Sequence, residues 1–444
     1  MKYGLLIGFL TPFANYGDFI QSIAVEYLYK QMGVDDKDIV HITMEQLQTY
    51  NGEPIILPYC YFYSLLINSK TGKLNISSKI IPVFLGVTLS DNSYRNFLDN
   101  ERLGELVGFM KKYEPIGCRD EYTRKLLVEN GVNAYLQGCI TNILPLRDET
   151  TITPDKVMLI DCPIEAKEYI PKQILSNVEV VPNSFYVANM TSEEIYQNAK
   201  EHYRYIRDNA SMIISSRYHV CTPCNAMGIP VIFTKRVFDL HNQDVRLDTL
   251  NPTIPLYEED EFCKLNYNVE RKNFEYLKAI VTNIAIARIK NEIVDKKLLD
   301  EIYNFYLPRI LSYNSNKLLN RYKEKLQKYI NENYKFPEKV SFYIWGAKPN
   351  LCNGTNINIV NYILRSNPNA VFKGWIDTYK TGVLADYRIF SPEELVVSES
   401  EFIVIMSENG LVSILEKVEN MGLSKNQYII CCNQHITKED LKRV

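Results

Sequence analysis

Short apolar runs alternate with helical stripes along most of this 444-residue chain, and that alternation narrows its possible folds more than any other feature. It opens with an apolar run from Tyr3 to Phe9, then the polar stretch "TPFANYGDFIQ". From Asp18 to Met32 the apolar residues Ile20, Ile23, Ala24, Tyr27 and Leu28 share one stripe, the spacing of an amphipathic helix. Further on, "PIILP" and "IIPVFLGV" read as buried parallel strands, which are apolar on both faces. "EYTRKLLVENGVN" reads as a helix stopped at Gly131, and "AYLQGC" as the next strand. Strands and helices in alternation predict an α/β layered protein.

The pattern restarts twice. After the turn-rich "RDETTITPD", the strand "KVMLIDCP", the helix "SEEIYQNAKEHYRYIRDNA", the strand "SMIISS", a loop-to-helix stretch "RYHVCTPCNAMG" and the strand "IPVIFT" form a second βαβ series. A charged helical stretch follows between 268 and 333. The strands "KVSFYIWG", "AVFKGWIDT", "YRIF", "FIVIMS" and "QYIICC" then build a third series. The expected architecture is therefore two Rossmann-like lobes, 1–150 and 151–334, with a cleft between them, the second lobe carrying a helical connector. A small Rossmann-like appendage occupies 335–444.

Composition serves mainly to exclude. A formal net charge of −3 gives no basic excess of the kind a nucleic-acid binder uses. The 10 cysteines are scattered through a long chain, which is not the pattern of a secreted disulfide framework. Cys221-x-x-Cys224 has half-site zinc spacing, but no second pair accompanies it, so no metal is expected. The first apolar run is too short for a signal peptide, and no stretch reaches the roughly 18 apolar residues of a membrane span. A cytoplasmic protein is expected, one able to make peripheral contact with a membrane-borne acceptor.

Three segments carry candidate chemistry. "NYGDFIQ" sets Asn15, Gly17 and Asp18 where the first strand gives way to a helix, the place where α/β sheets bind ligands. Asp18 there can orient or deprotonate a hydroxyl, or simply cap the helix. "GCRDEYTRKLL" offers Arg119 as a bidentate anion fork, or as an ion-pair neighbour of a capping Asp120. "SMIISSRYHVCTPCNAMGIPVIF" delivers Ser216, Arg217 and His219 at a strand end, and the spacing of Arg217 and His219 predicts two side chains on one side of an extended turn. Arginine supplies fixed charge, and histidine a proton near neutral pH. His241, Asp244 and Arg246 follow the strand "IPVIFT" and are secondary candidates for the same cleft. His41, His202 and His435 have no comparable surroundings in the sequence. In the third series Gly346 and Gly354 imitate a dinucleotide loop with too long an insert, and Asp377 stands where a ribose-binding acid would.

Taken in order, "NYGDFIQSIAVEYL", "PIGCRDEYTRKLLVENGVNAYLQGCITNIL" and "ASMIISSRYHVCTPCNAMGIPVIF" resemble the polysaccharide pyruvyl transferase family over about the first 250 residues. The resemblance implies a GT-B-like pair of lobes, phosphoenolpyruvate as donor and no other cofactor. The implied acceptor is a sugar of a surface polysaccharide or its lipid-linked precursor. It implies donor contact by Arg217 and His219, with Arg119 as a further anion contact. In a mechanism that fits these residues, His219 would act as acid or as phosphate ligand, and Asp18 as base toward the acceptor. Two other readings stand beside it: a nucleotide-sugar glycosyltransferase, and a non-catalytic assembly protein on the same scaffold.

Overall fold

The computed structural model describes residues 2–8, 13–67, 73–89, 100–150, 152–187, 189–235, 245–271, 273–313, 340–347, 355–407, 410–425, 427–432 and 434–441. His241, Asp244, Gly354 and the charged stretch 316–334 lie outside the described residues.

The first sheet has six strands in the order β3-β1-β4-β5-β6-β7. They are β1 (Lys2–Gly8), β3 (Ile39–Thr43), β4 (Ile55–Tyr59), β5 (Ile80–Val87), β6 (Ile116–Cys118) and β7 (Ala134–Leu136), all parallel. The chain leaves β1 to one side to build β3 and returns on the other side to build β4. Connections therefore run in opposite directions from β1 and β4, and a crevice opens at their carboxyl ends. Helix α1 (Tyr16–Gln31) starts in that crevice. It buries more than the one predicted stripe, because β1 lies on one side of it and the helices Ser192–Asn209 and Tyr218–Ala226 on another.

The second sheet repeats the plan. Its order is β13-β12-β11-β8-β9, with β8 (Lys156–Ile160), β9 (Val178–Val180), β11 (Ala210–Ser215), β12 (Val231–Thr234) and β13 (Leu256–Tyr257) all parallel. Here the switch falls between β8 and β11. The stretch after β11 read as a loop leading into a helix is helical from its second residue onward, Tyr218–Ala226, with Pro223 inside it.

The two lobes are joined rather than merely adjacent. A short antiparallel ribbon pairs β2 (Phe13–Asn15) with β10 (Ser184–Tyr186). One apolar cluster runs from Leu5 and Ile7 of β1 through Phe19 and Ile20 of α1 to Met158 of β8 and Ile213 of β11. The helices Glu275–Ile289 and Lys296–Ser312 pack against both lobes: Arg309 Nη2 donates to Ile254 O at 2.6 Å in the second. Arg288 Nη2 donates to Pro115 O at 3.1 Å, and Asn142 Nδ2 donates to the Tyr306 hydroxyl at 2.9 Å.

The third sheet has the order β16-β17-β15-β14-β18-β19: β14 (Val340–Trp345), β15 (Ala370–Ile376), β16 (Gly382–Leu384), β17 (Tyr387–Phe390), β18 (Glu401–Ile405) and β19 (Tyr428–Ile430). Only β16 is antiparallel to its neighbour. Residues after β19 leave this sheet and reach the segment after β8, through an isolated bridge between Pro163 and His435.

Candidate active site

Both switch points open onto the same place. From the first sheet come the start of α1 and the residues after β4 and β6; from the second come the residues after β8 and β11. Three helix starts, those of Tyr16–Gln31, Glu121–Glu129 and Tyr218–Ala226, are gathered there, and each carries the partial positive charge of its unpaired N–H groups.

Asn15 caps α1: its side-chain oxygen accepts from Gly17 N at 2.8 Å and from Asn183 Nδ2 at 3.2 Å. Asp18 is therefore not the cap but the third residue of the helix. Gly17 is closely packed: a Cβ there would stand 3.1 Å from the Cβ of His219. Asp18 is half-buried. Burial pushes its carboxyl up to about 6, against the opposing pull of Arg246, Arg217 and Arg119. Three guanidinium groups from three separate segments thus bear on one carboxylate.

Arg119 is fully buried. Its Nε donates to Gly86 O at 3.1 Å and its Nη1 to His219 Nε2 at 3.2 Å. Its Nη2 donates to the Gln21 side chain and to Cys60 O. Among the described residues no carboxylate accepts from it. A buried charge held only by neutral acceptors is expensive to keep and favours an anion nearby. Asp120, for its part, caps the next helix by accepting from Thr123 N at 2.8 Å and does not pair with Arg119.

His219 receives the Arg119 N–H on Nε2, and because a guanidinium only donates, that nitrogen is an acceptor and the ring proton sits on Nδ1. Nδ1 lies toward Gly17. Burial holds the imidazole well below its ordinary value, and the Arg119 and Arg246 charges push it further down. His219 is neutral, with Nε2 engaged by Arg119.

Arg217 does not lie on the same side as His219. The helix begins between them, so Arg217 turns back to the end of β8, where Nε donates to the Asp161 carboxylate, while His219 crosses to the first lobe. Ser216 holds the same turn, its hydroxyl donating to Asp161 O at 2.6 Å. Arg246, a secondary candidate in the sequence, belongs in the site: its guanidinium lies 5.2 Å from the Phe62 ring centre and 5.7 Å from that of Tyr218, and it is the strongest of the three charges acting on Asp18. Asp161, Gln21 and Phe62 carried no signal in the sequence, because each is defined by a contact across the fold.

Elsewhere, Asp377 is occupied within its own turn, accepting from Tyr379 N at 3.0 Å and Lys380 N at 3.2 Å. Cys221 and Cys224 are buried thiols. Among the described residues no group of three His, Cys, Asp or Glu side chains could hold a metal, and no helix is long and apolar enough to cross a membrane.

The fold is mixed α/β with several parallel sheets, and its switch points bring Arg119, Arg217 and Arg246 close enough to act on the Asp18 carboxyl. The family model described as polysaccharide pyruvyl transferase matches residues 15–235, which contain Asn15, Gly17, Asp18, Arg119, Ser216, Arg217 and His219. Over that stretch the chain belongs to the polysaccharide pyruvyl transferase family, a family of transferases. No curated protein matches the sequence. Among solved structures, a functionally uncharacterized protein from Klebsiella pneumoniae is similar at 14% identity with a TM-score of 0.30, over 52% of this chain and 83% of that one.

Proposed function

We propose that this protein transfers the pyruvyl group of phosphoenolpyruvate to a sugar hydroxyl pair of a surface polysaccharide or its lipid-linked precursor, on a GT-B-like pair of lobes. The observation that carries this reading is the convergence of Arg217, Arg246 and the buried Arg119 on Asp18, whose carboxyl is poised at about 6. The donor brings a phosphate and a carboxylate, and the cluster offers positive charge from both lobes.

C3 of the enol accepts a proton, which leaves C2 electrophilic. One acceptor hydroxyl adds to C2 and gives up its proton. The C–O bond to phosphate breaks, phosphate departs with the electron pair, and the second hydroxyl closes the ketal while losing its proton. A carboxyl at about 6 holds a proton often enough to give it and releases it readily enough to take one back, so Asp18 is assigned the acid as well as the base role. The expected acid role of His219 is reassigned: a buried neutral imidazole that accepts from Arg119 acts by fixing Arg119. Arg119 acts in turn through its field rather than by contact, and Ser216 through the Asp161 turn.

The test is incubation with phosphoenolpyruvate and an acceptor panel, reading released phosphate together with product mass. The reading predicts one phosphate per ketal formed, and at least 100-fold loss in Arg217→Ala and Asp18→Asn, roughly the scale of a single acid–base or oxyanion contribution. Turnover of a nucleotide-sugar instead would replace it with the glycosyltransferase reading, and binding of neither with the assembly-protein reading.

A further inference from the structure

The end of the third block reaches the anion site. Ile164 N donates to Gln434 O at 3.0 Å and Ile436 N to Cys162 O at 2.9 Å, on either side of the bridge between Pro163 and His435. Ile436 is buried in an apolar cluster with Cys162, Ala166, Ile170 and Phe262. Lys167 and Asp440 form an ion pair at 4.0 Å. This anchorage sets His435 Nδ1 3.8 Å from Asp161 Oδ1, an ion-pair distance when the ring is protonated, while Asp161 Oδ2 accepts from Arg217 Nε. Asp161 also has a φ of 48°, a left-handed conformation unusual outside glycine. Such conformations persist only where the surroundings hold them, and they gather at binding sites.

We infer that His435 is a positioning residue for the anion site: the end of the third block clamps Asp161, and Asp161 aims Arg217. The third block is then a working part of the transferase rather than an appendage. A sequence reading gave His435 no role, because its partner lies more than 270 positions away in the chain.

The inference rests on the proposed function only in taking Arg217 as an anion ligand, so the test uses two probes, inorganic phosphate and phosphoenolpyruvate. Each is titrated calorimetrically into the full chain. His435→Ala, and Ile436→Asp as an independent way of undocking the segment, are expected to weaken both probes about 10-fold, a usual size for loss of a coupled neighbour. His435→Asn, whose amide nitrogen stands near the place of Nδ1, is expected to recover most of that loss. In an Arg217→Ala background, His435→Ala is expected to do nothing further. Wild-type binding of both probes by His435→Ala overturns the inference, and so does an equal loss in the Arg217→Ala background, which would mark the contact as merely structural. If the wild type binds phosphate but not phosphoenolpyruvate, the pyruvyl-donor reading fails while the phosphate arm still decides this one; if it binds neither, both fail.

Discussion

Asp18 and His219 have opposite electrostatic fates in the same pocket. Desolvation opposes the charged form of each, so the carboxyl rises and the imidazole falls. For Asp18 the folded value of about 6 exceeds the unfolded 3.8, so folding takes up a proton between those two pH values. Stability from this group is fully present below the lower value and is lost as pH rises through the higher one. Asp18→Asn should therefore be more stable than the wild type at pH 8, by ~1–3 kcal/mol, with the difference vanishing below pH 4. Urea titrations at the two pH values measure it. For His219, removing the Arg119 charge in Arg119→Met should raise the imidazole value, though burial keeps it below that of a free histidine. Proton NMR titration of the ring reads this directly. Arg119→Lys should cost ~2 kcal/mol, since an ammonium cannot reach Gly86 O, Cys60 O and His219 Nε2 from one planar fork.

At the scale of elements, the starts of helices do most of the positioning. Asn15 both caps α1 and ties it to Asn183 across the β2–β10 ribbon, so Asn15→Ala should lose about 1–2 kcal/mol in thermal unfolding, the range of a lost cap. Periodicity made most strands of the three sheets legible, though not β3, β9, β13 or β16, along with the helices Glu121–Glu129 and Ser192–Asn209, because each of these buries a regular face. It did not reveal the helix Tyr218–Ala226 as starting at its second residue, since Pro223 and the absence of a capping side chain hide the start. That single misplacement put Arg217 and His219 on one side of a turn, whereas the helix start sends them to opposite lobes. The ribbon was invisible for another reason: three-residue strands carry no periodicity.

The whole molecule is a case of local patterns locating a site whose composition is non-local. Strand ends in the sequence pointed to Asn15, Gly17, Asp18, Arg119, Ser216, Arg217 and His219, and the fold does draw these residues together. What joins them is long-range: Gly86 and Cys60 carbonyls around Arg119, Arg246 under Phe62, and Asp161 between Arg217 and His435. Those contacts depend on sheet order and on chain segments that return after long excursions, neither of which a linear pattern encodes. The candidate site takes arginines from both lobes, and His435 approaches Asp161 on its second-lobe side.

The central claim is that Arg217 and Arg246, from two segments, jointly bind the anionic donor. Calorimetric titration of phosphoenolpyruvate into Arg217→Ala, Arg246→Ala and the double variant tests it most directly. The account predicts that each single change weakens binding by about 10- to 100-fold, that the double change abolishes it, and that a nucleotide-sugar does not compete. Undiminished binding in the double variant would contradict it.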